Sequence, residues 1–125
     1  MTYCVGMLVE AGLVMIADTR TNAGIDNISV FKKLHLLADD GDRLVVLASA
    51  GSLSVTQSTL SMLEEGLPCH DGSGIARTVA AQPTMFRVAQ LVGEAVSTAR
   101  RAIGVSLEGT KINAGVSFLL GGRVG

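Results

Sequence analysis

Apolar residues open the chain in two short runs, residues 3–9 and 13–17, separated by Glu10-Ala11-Gly12. Runs of this length, rich in Val, Leu and Ile about a tight turn, predict a β-hairpin of buried strands. Residues 21–29 are polar, with Gly24, Asp26 and Asn27, and read as a loop. Residues 31–37 and 43–50 are again strand-like, joined by the turn sequence Asp39-Asp40-Gly41-Asp42. The opening half therefore predicts four strands in meander order.

After Gly51 the period changes. Leu53, Thr56, Leu60 and Leu63 recur at helical spacing, and Glu64-Glu65-Gly66-Leu67-Pro68 carries the Gly and Pro that stop a helix. Residues 69–74 read as a loop. A longer helix is predicted over residues 83–105, with Phe86, Ala89, Gln90, Gly93, Val96 and Ile103 near one stripe. Its small residues Ala89, Gly93, Ala95 and Ala99 suit close packing on a neighbour. Residues 112–120 are strand-like, and Gly121-Gly122 reads as a Gly-rich turn before Arg123-Val124-Gly125. Strands followed by helices indicate an α+β layered fold rather than alternating βαβ units.

Composition narrows the function. The 125 residues are enough for one domain over 1–125, and 48% are hydrophobic, which excludes wholesale disorder. With no Trp, one Tyr and three Phe, the core must be aliphatic and base stacking has little material. Ten basic against eleven acidic side chains leave a net charge of -1 and no polyanion footprint, so neither nucleic acid nor a membrane surface is an expected partner. So apolar a chain with so few charges suggests surface buried against copies of itself. The N-terminus has no basic region and no apolar run of membrane-spanning length, and two cysteines do not make a disulfide framework. A cytoplasmic location is the expectation.

Candidate chemistry starts at Thr2, directly behind the initiator Met. Once exposed by Met removal, an N-terminal Thr joins a hydroxyl nucleophile and an amine base in one residue. The α-amine has a pKa of about 7.7–8.0, so a useful fraction is free to take a proton at neutral pH. A Met-Thr start by itself is ordinary. Asp18 ends the second apolar run, and a hairpin returns that end to the start of the first strand, beside Thr2. Lys33 enters the third strand near the same place, where its charge would lower the hydroxyl pKa while Asp18 orients it. Gly51 follows the fourth strand where a helix begins, and an unpaired N–H there can hold an oxyanion.

Thr2, Asp18-Thr19-Arg20, Lys32-Lys33-Leu34 and Ala50-Gly51-Ser52, with Thr56-Gln57 behind, together resemble the opening half of a proteasome β-type subunit. Thr2-Tyr3-Cys4-Val5-Gly6, with residues 17–29, is closer to the bacterial proteasome-related proteins called Anbu, and residues 118–125 resemble that family's strand after its two helices. The resemblance implies an αββα sandwich of the N-terminal nucleophile hydrolase type, incomplete at the C-terminus, because the chain stops mid-fold. It implies a threonine-type peptidase or amidase subunit of a self-compartmentalising assembly. Thr2 would be the nucleophile, Asp18 and Lys33 its activators, and Gly51 the oxyanion donor. Arg20, Ser49 and Leu53 match positions lining the first specificity pocket, which a small Ser49 leaves open rather than selective. Asn22 stands where the family usually has a Thr that pairs with substrate backbone. Partners implied are copies of the chain in a ring or spiral and a peptide or protein substrate; an ATP-driven unfoldase is left open. No metal or organic cofactor is implied. Alternatives are a scaffold subunit of the same fold that hydrolyses little, and an amidase acting on a small molecule.

Other residues carry less. Cys69-His70-Asp71 lacks the second ligand pair of a metal site. Gly72-Ser73-Gly74 has no preceding strand and no following Lys, so it is not a phosphate cradle. Cys4 reads as packed, and His35 as a structural or partly exposed strand residue.

Overall fold

The computed structural model describes residues 3–22, 28–30, 32–69, 72, 74–106 and 115–124. Strands β1 (Cys4–Val9) and β2 (Gly12–Ala17) form the expected hairpin, in register from Cys4 opposite Ala17 to Val9 opposite Gly12, but its residues are exposed or half-buried rather than buried. The polar segment read as a loop holds two short strands at its ends. β3 (Arg20–Asn22) pairs antiparallel with β4 (Ile28–Val30) as a separate ladder. Backbone pairing there overrides a composition that marks turns.

The central sheet has the order β5-β6-β7, built from Leu34–Asp39, Arg43–Gly51 and Val116–Val124, all antiparallel. At the β5–β6 turn the Asp40 side chain accepts a hydrogen bond from the Arg43 N–H at 2.8 Å. The four opening strands thus do not form one meander, since β1 and β2 make their own sheet. Nor is Gly121-Gly122 a turn. Both residues lie within β7, opposite Val46 and Val45. A Cβ on Gly121 would stand 2.6 Å from Leu13 Cδ2 and 2.7 Å from Met15 Sδ, so glycine is what lets β7 meet the hairpin.

Helix α1 (Leu53–Glu65) begins at Ser52, whose hydroxyl accepts the Val55 N–H at 3.3 Å, and stops at Gly66 with φ 93°. Helix α2 (Met85–Ser106) is preceded by Thr84, whose hydroxyl accepts the Arg87 N–H at 3.2 Å. The buried stripe of α2 is Val88, Leu91, Val92, Ala95 and Ala99, spaced three and four apart. It is not the stripe anticipated from the sequence: Phe86 is 68% exposed, and Ala89, Gln90 and Gly93 are also outside. Small residues on both faces of α2 blur its apolar period, and the branched aliphatics decide which face is buried.

Alternation along β6 orders the layers. Val45 and Leu47 are fully buried and pack with Leu63, Val88, Leu91, Val92 and Ala95 of the helices. Leu44 and Val46 point the other way, into a space shared with Leu13 and Met15 of the hairpin. Helices, central sheet and hairpin therefore stack in that order. Cutting a core side chain such as Leu47 to Ala costs about 2–5 kcal/mol in sites of this kind. No helix among the described residues is long and apolar enough to cross a membrane.

Candidate functional site

The start of β1 and the end of β2 lie side by side because the hairpin returns. The Tyr3 N–H donates to Asp18 Oδ2 at 2.9 Å, and the Asp18 N–H donates to the Tyr3 carbonyl at 3.0 Å. The other carboxylate oxygen, Oδ1, accepts from the Lys33 ammonium. The Lys33 side chain is only 7% exposed, so its charge needs this partner. In return the Lys33 hydrogen bond holds the Asp18 carboxyl below the usual carboxylate range, and the Tyr3 N–H acts in the same direction.

Backbone contacts fix the position of Lys33. Its carbonyl accepts the Ser49 N–H at 2.9 Å and the Ser49 hydroxyl at 3.5 Å. The Cys4 thiol reaches the Ser49 carbonyl at 3.7 Å, tying β1 to β6. Burial pushes the Cys4 thiol up, with Asp18 adding to it, so Cys4 is a poor thiolate source.

Gly51 is the last residue of β6, with φ 97°. A Cβ there would lie 2.5 Å from the Gly115 carbonyl oxygen. The next residue, Ser52, donates its N–H to that same oxygen at 2.8 Å. Amides alternate in direction along an antiparallel strand. Since Ser52 donates toward β7 and Ser49 toward Lys33, the Gly51 N–H is directed to the Lys33 side.

A cavity of about 90 Å³ joins several of these residues: Lys33, Ser49, Gly51 and Leu53 all line it. Arg20 and Asn22 lie in β3, opposite Val30 and Ile28. Thr2 lies outside the described residues, as do His70 and Asp71. Two lining residues were missed in the sequence, Lys32 and His35. His35 Nε2 stands 3.4 Å from the Ser49 hydroxyl, and burial, then the Lys32 charge, pushes its pKa down. The available signal was spacing: His35 is two residues after Lys33, so the two share a face of an extended segment. Lys32, His35 and Leu60 also line an adjoining cavity of about 420 Å³ under α1.

No family model and no curated protein matches the chain. Solved structures do. Anbu from Hyphomicrobium is 39% identical with a TM-score of 0.76, and Anbu from Yersinia bercovieri, described as the ancestral β-subunit, is 36% identical with a TM-score of 0.76. The helical assembly of the Anbu complex from Pseudomonas aeruginosa gives 32% identity and a TM-score of 0.79. Each match covers 99% of this chain and 48% of the other, so the chain spans about half the length of these proteins. Over that half, the agreement of sequence and backbone identifies the chain as Anbu-type.

Proposed function

We propose that the chain is the catalytic part of a proteasome-like N-terminal nucleophile hydrolase that cleaves peptide bonds. The observation that carries this reading is the Tyr3–Asp18–Lys33 arrangement, one peptide bond from Thr2. After Met1 is removed, the Thr2 α-amine takes the hydroxyl proton as Oγ attacks the substrate carbonyl carbon. Asp18 holds Lys33 in place, and the Lys33 charge favours the developing alkoxide. The Gly51 N–H donates to the carbonyl oxygen as it becomes negative. Collapse breaks the C–N bond, and the leaving amine takes its proton from the α-ammonium. Water then attacks the acyl ester, giving its proton back to the amine, and frees Thr2 and the product carboxylate.

The stacking of helices, central sheet and hairpin supports the αββα reading. The outer face of the hairpin, with Met7, Val9 and Ile16 at 47%, 50% and 58% exposed, is the face a second helical layer would cover. Self-assembly is the further expectation, supported by the helical assembly of the Pseudomonas protein.

Thr2→Ala and Thr2→Ser variants of the full protein test the reading, with intact mass measured on the wild type. Loss of one Met, peptide hydrolysis by wild type, and its loss in Thr2→Ala with partial retention in Thr2→Ser are expected. Full hydrolysis by Thr2→Ala refutes it. A wild type that retains Met1 and cleaves nothing leaves the scaffold reading, which the Asn22 departure favours.

A further inference from the structure

The cavity beside Gly51 has a charge pattern that its small Ser49 does not foretell. Lys32, Lys33 and His35 line it with Ser49, Thr56 and Gln57, and no carboxylate lines it among the described residues. The Lys33 charge is already matched by Asp18. Lys32, which is exposed, and His35, which is half-buried, meet no acid on this side among the described residues. From α1, Gln57 faces this cavity, while Glu64 lines the adjoining one on the far side of His35. From β6, the facing polar group is the Ser49 hydroxyl.

We propose that this cavity selects an acidic side chain of the substrate peptide, with Lys32 and His35 as the groups that receive its carboxylate. The inference rests on the reading of the site as peptide-binding and peptide-cleaving. Size permits it: at about 10–15 Å³ for each water position, the cavity accepts a carboxylate and its methylene stem. A Lys or Arg side chain would meet the Lys32 and Lys33 ammonium groups, with no carboxylate among the described lining residues to pair it. An aliphatic side chain would strip water from Lys32 and His35 without replacing their hydrogen bonds.

The same geometry makes selection depend on pH. In the empty site burial, and then the Lys32 charge, push the His35 pKa down and so disfavour the imidazolium. A bound carboxylate offsets the Lys32 charge and gives an imidazolium an acceptor, so binding draws a proton onto His35. Affinity for the acidic peptide then rises as pH falls from 8 to 6, whereas a neutral peptide gains nothing.

The test uses the full protein carrying Thr2→Ala, so that bound peptide is not turned over. Fluorescently labelled peptides differing only by Glu, Gln, Leu or Lys at one position are titrated by anisotropy at pH 6 and pH 8. The Glu peptide should bind about tenfold more tightly than the Gln peptide at pH 6, as a charge-assisted hydrogen bond would give, and less so at pH 8. Adding His35→Gln should remove the pH dependence. Adding Lys32→Met, an exposed change that leaves the core untouched, should weaken the Glu peptide about threefold more than the Leu peptide. Equal binding of Glu and Gln peptides, or binding of none, overturns the inference. If the Glu peptide binds as stated but the wild type cleaves no peptide, the hydrolase reading fails and the acidic selectivity stands.

Discussion

Gly51→Ala probes the fold and the proposed chemistry with one methyl group. Gly51 has φ 97°, and the new Cβ would sit 2.5 Å from the Gly115 carbonyl oxygen and 3.0 Å from Val116 Cα. Gly41 supplies the comparison, with φ 89° and nothing within 4 Å of a built Cβ. Both substitutions incur the cost of an L-residue at positive φ, about 1–2 kcal/mol. Gly41→Ala should cost only that. Gly51→Ala must also displace the Gly115 carbonyl, which accepts the Ser52 N–H at 2.8 Å, and losing that bond adds about 1 kcal/mol. Thermal and urea unfolding of the two variants, side by side in the full protein, should place Gly51→Ala lower by roughly 5 °C, given a few degrees per kcal/mol for domains of this size. Alanine keeps the backbone N–H, but relieving the 2.5 Å clash moves the residue that carries it, so peptide hydrolysis should fall toward the roughly 10²–10³ loss that follows removal of an oxyanion donor, while Gly41→Ala keeps it. Equal stability of the two variants would refute the packing argument. A destabilised Gly51→Ala that hydrolyses at the wild-type rate would refute the claim that the clash displaces this N–H from the reacting carbonyl.

Two more outcomes follow from the ion pairs. The Asp18 carboxyl has a folded pKa below its unfolded value, so its contribution is complete above the ordinary carboxylate pKa of about 3.9 and is lost as pH falls through the lowered folded value. Asp18→Asn should therefore be less stable than wild type at pH 7, and the two urea midpoints should converge in acid; a gap that persists unchanged to the lowest pH would contradict the pairing with Lys33. Arg77 donates Nη1 and Nη2 to the two Glu94 carboxylate oxygens at 2.8 and 2.7 Å, and Nε and Nη2 to the Pro68 carbonyl at 3.0 and 2.8 Å. Lysine cannot reproduce that fork, so Arg77→Lys should lower the melting midpoint and speed proteolysis between Pro68 and Arg77, and unchanged proteolysis would show that the clamp does not hold this segment.

The hairpin, the central strands and α1 were legible because each carries a clear period or a clear stop. Residues 3–9 and 13–17 are apolar runs about a turn too short to do anything else, and Gly66 with Pro68 ends α1 where backbone geometry requires it. α2 was legible as a helix but not in its orientation. Ala89, Gly93, Ala95 and Ala99 lie on both sides of it, so only contact with Leu47 and Leu63 distinguishes the Val88–Leu91–Val92 face. Gly121 and Gly122 misled for a related reason. A Gly pair signals a turn unless another sheet presses on the strand, and the Leu13 and Met15 side chains that press on Gly121 come from more than a hundred residues earlier in the chain.

The site divides along the same line. Asp18 and Lys33 could be placed from topology alone, since a hairpin brings its two ends together and the ion pair needs only that closure. His35 could not, because its role depends on what stands across the ladder. Lys33 lies opposite Ser49 by the bonds between them, and His35, two residues along, then meets the same hydroxyl. A one-residue slip of β5 against β6 would turn His35 to the other face and leave Lys32 without a companion in the cavity. The register that holds Lys33 for the proposed nucleophile is thus the register that places His35 for the substrate side chain. The proposed activation and the proposed selectivity therefore depend on the same strand pairing, and a variant that shifts β5 should lose both together.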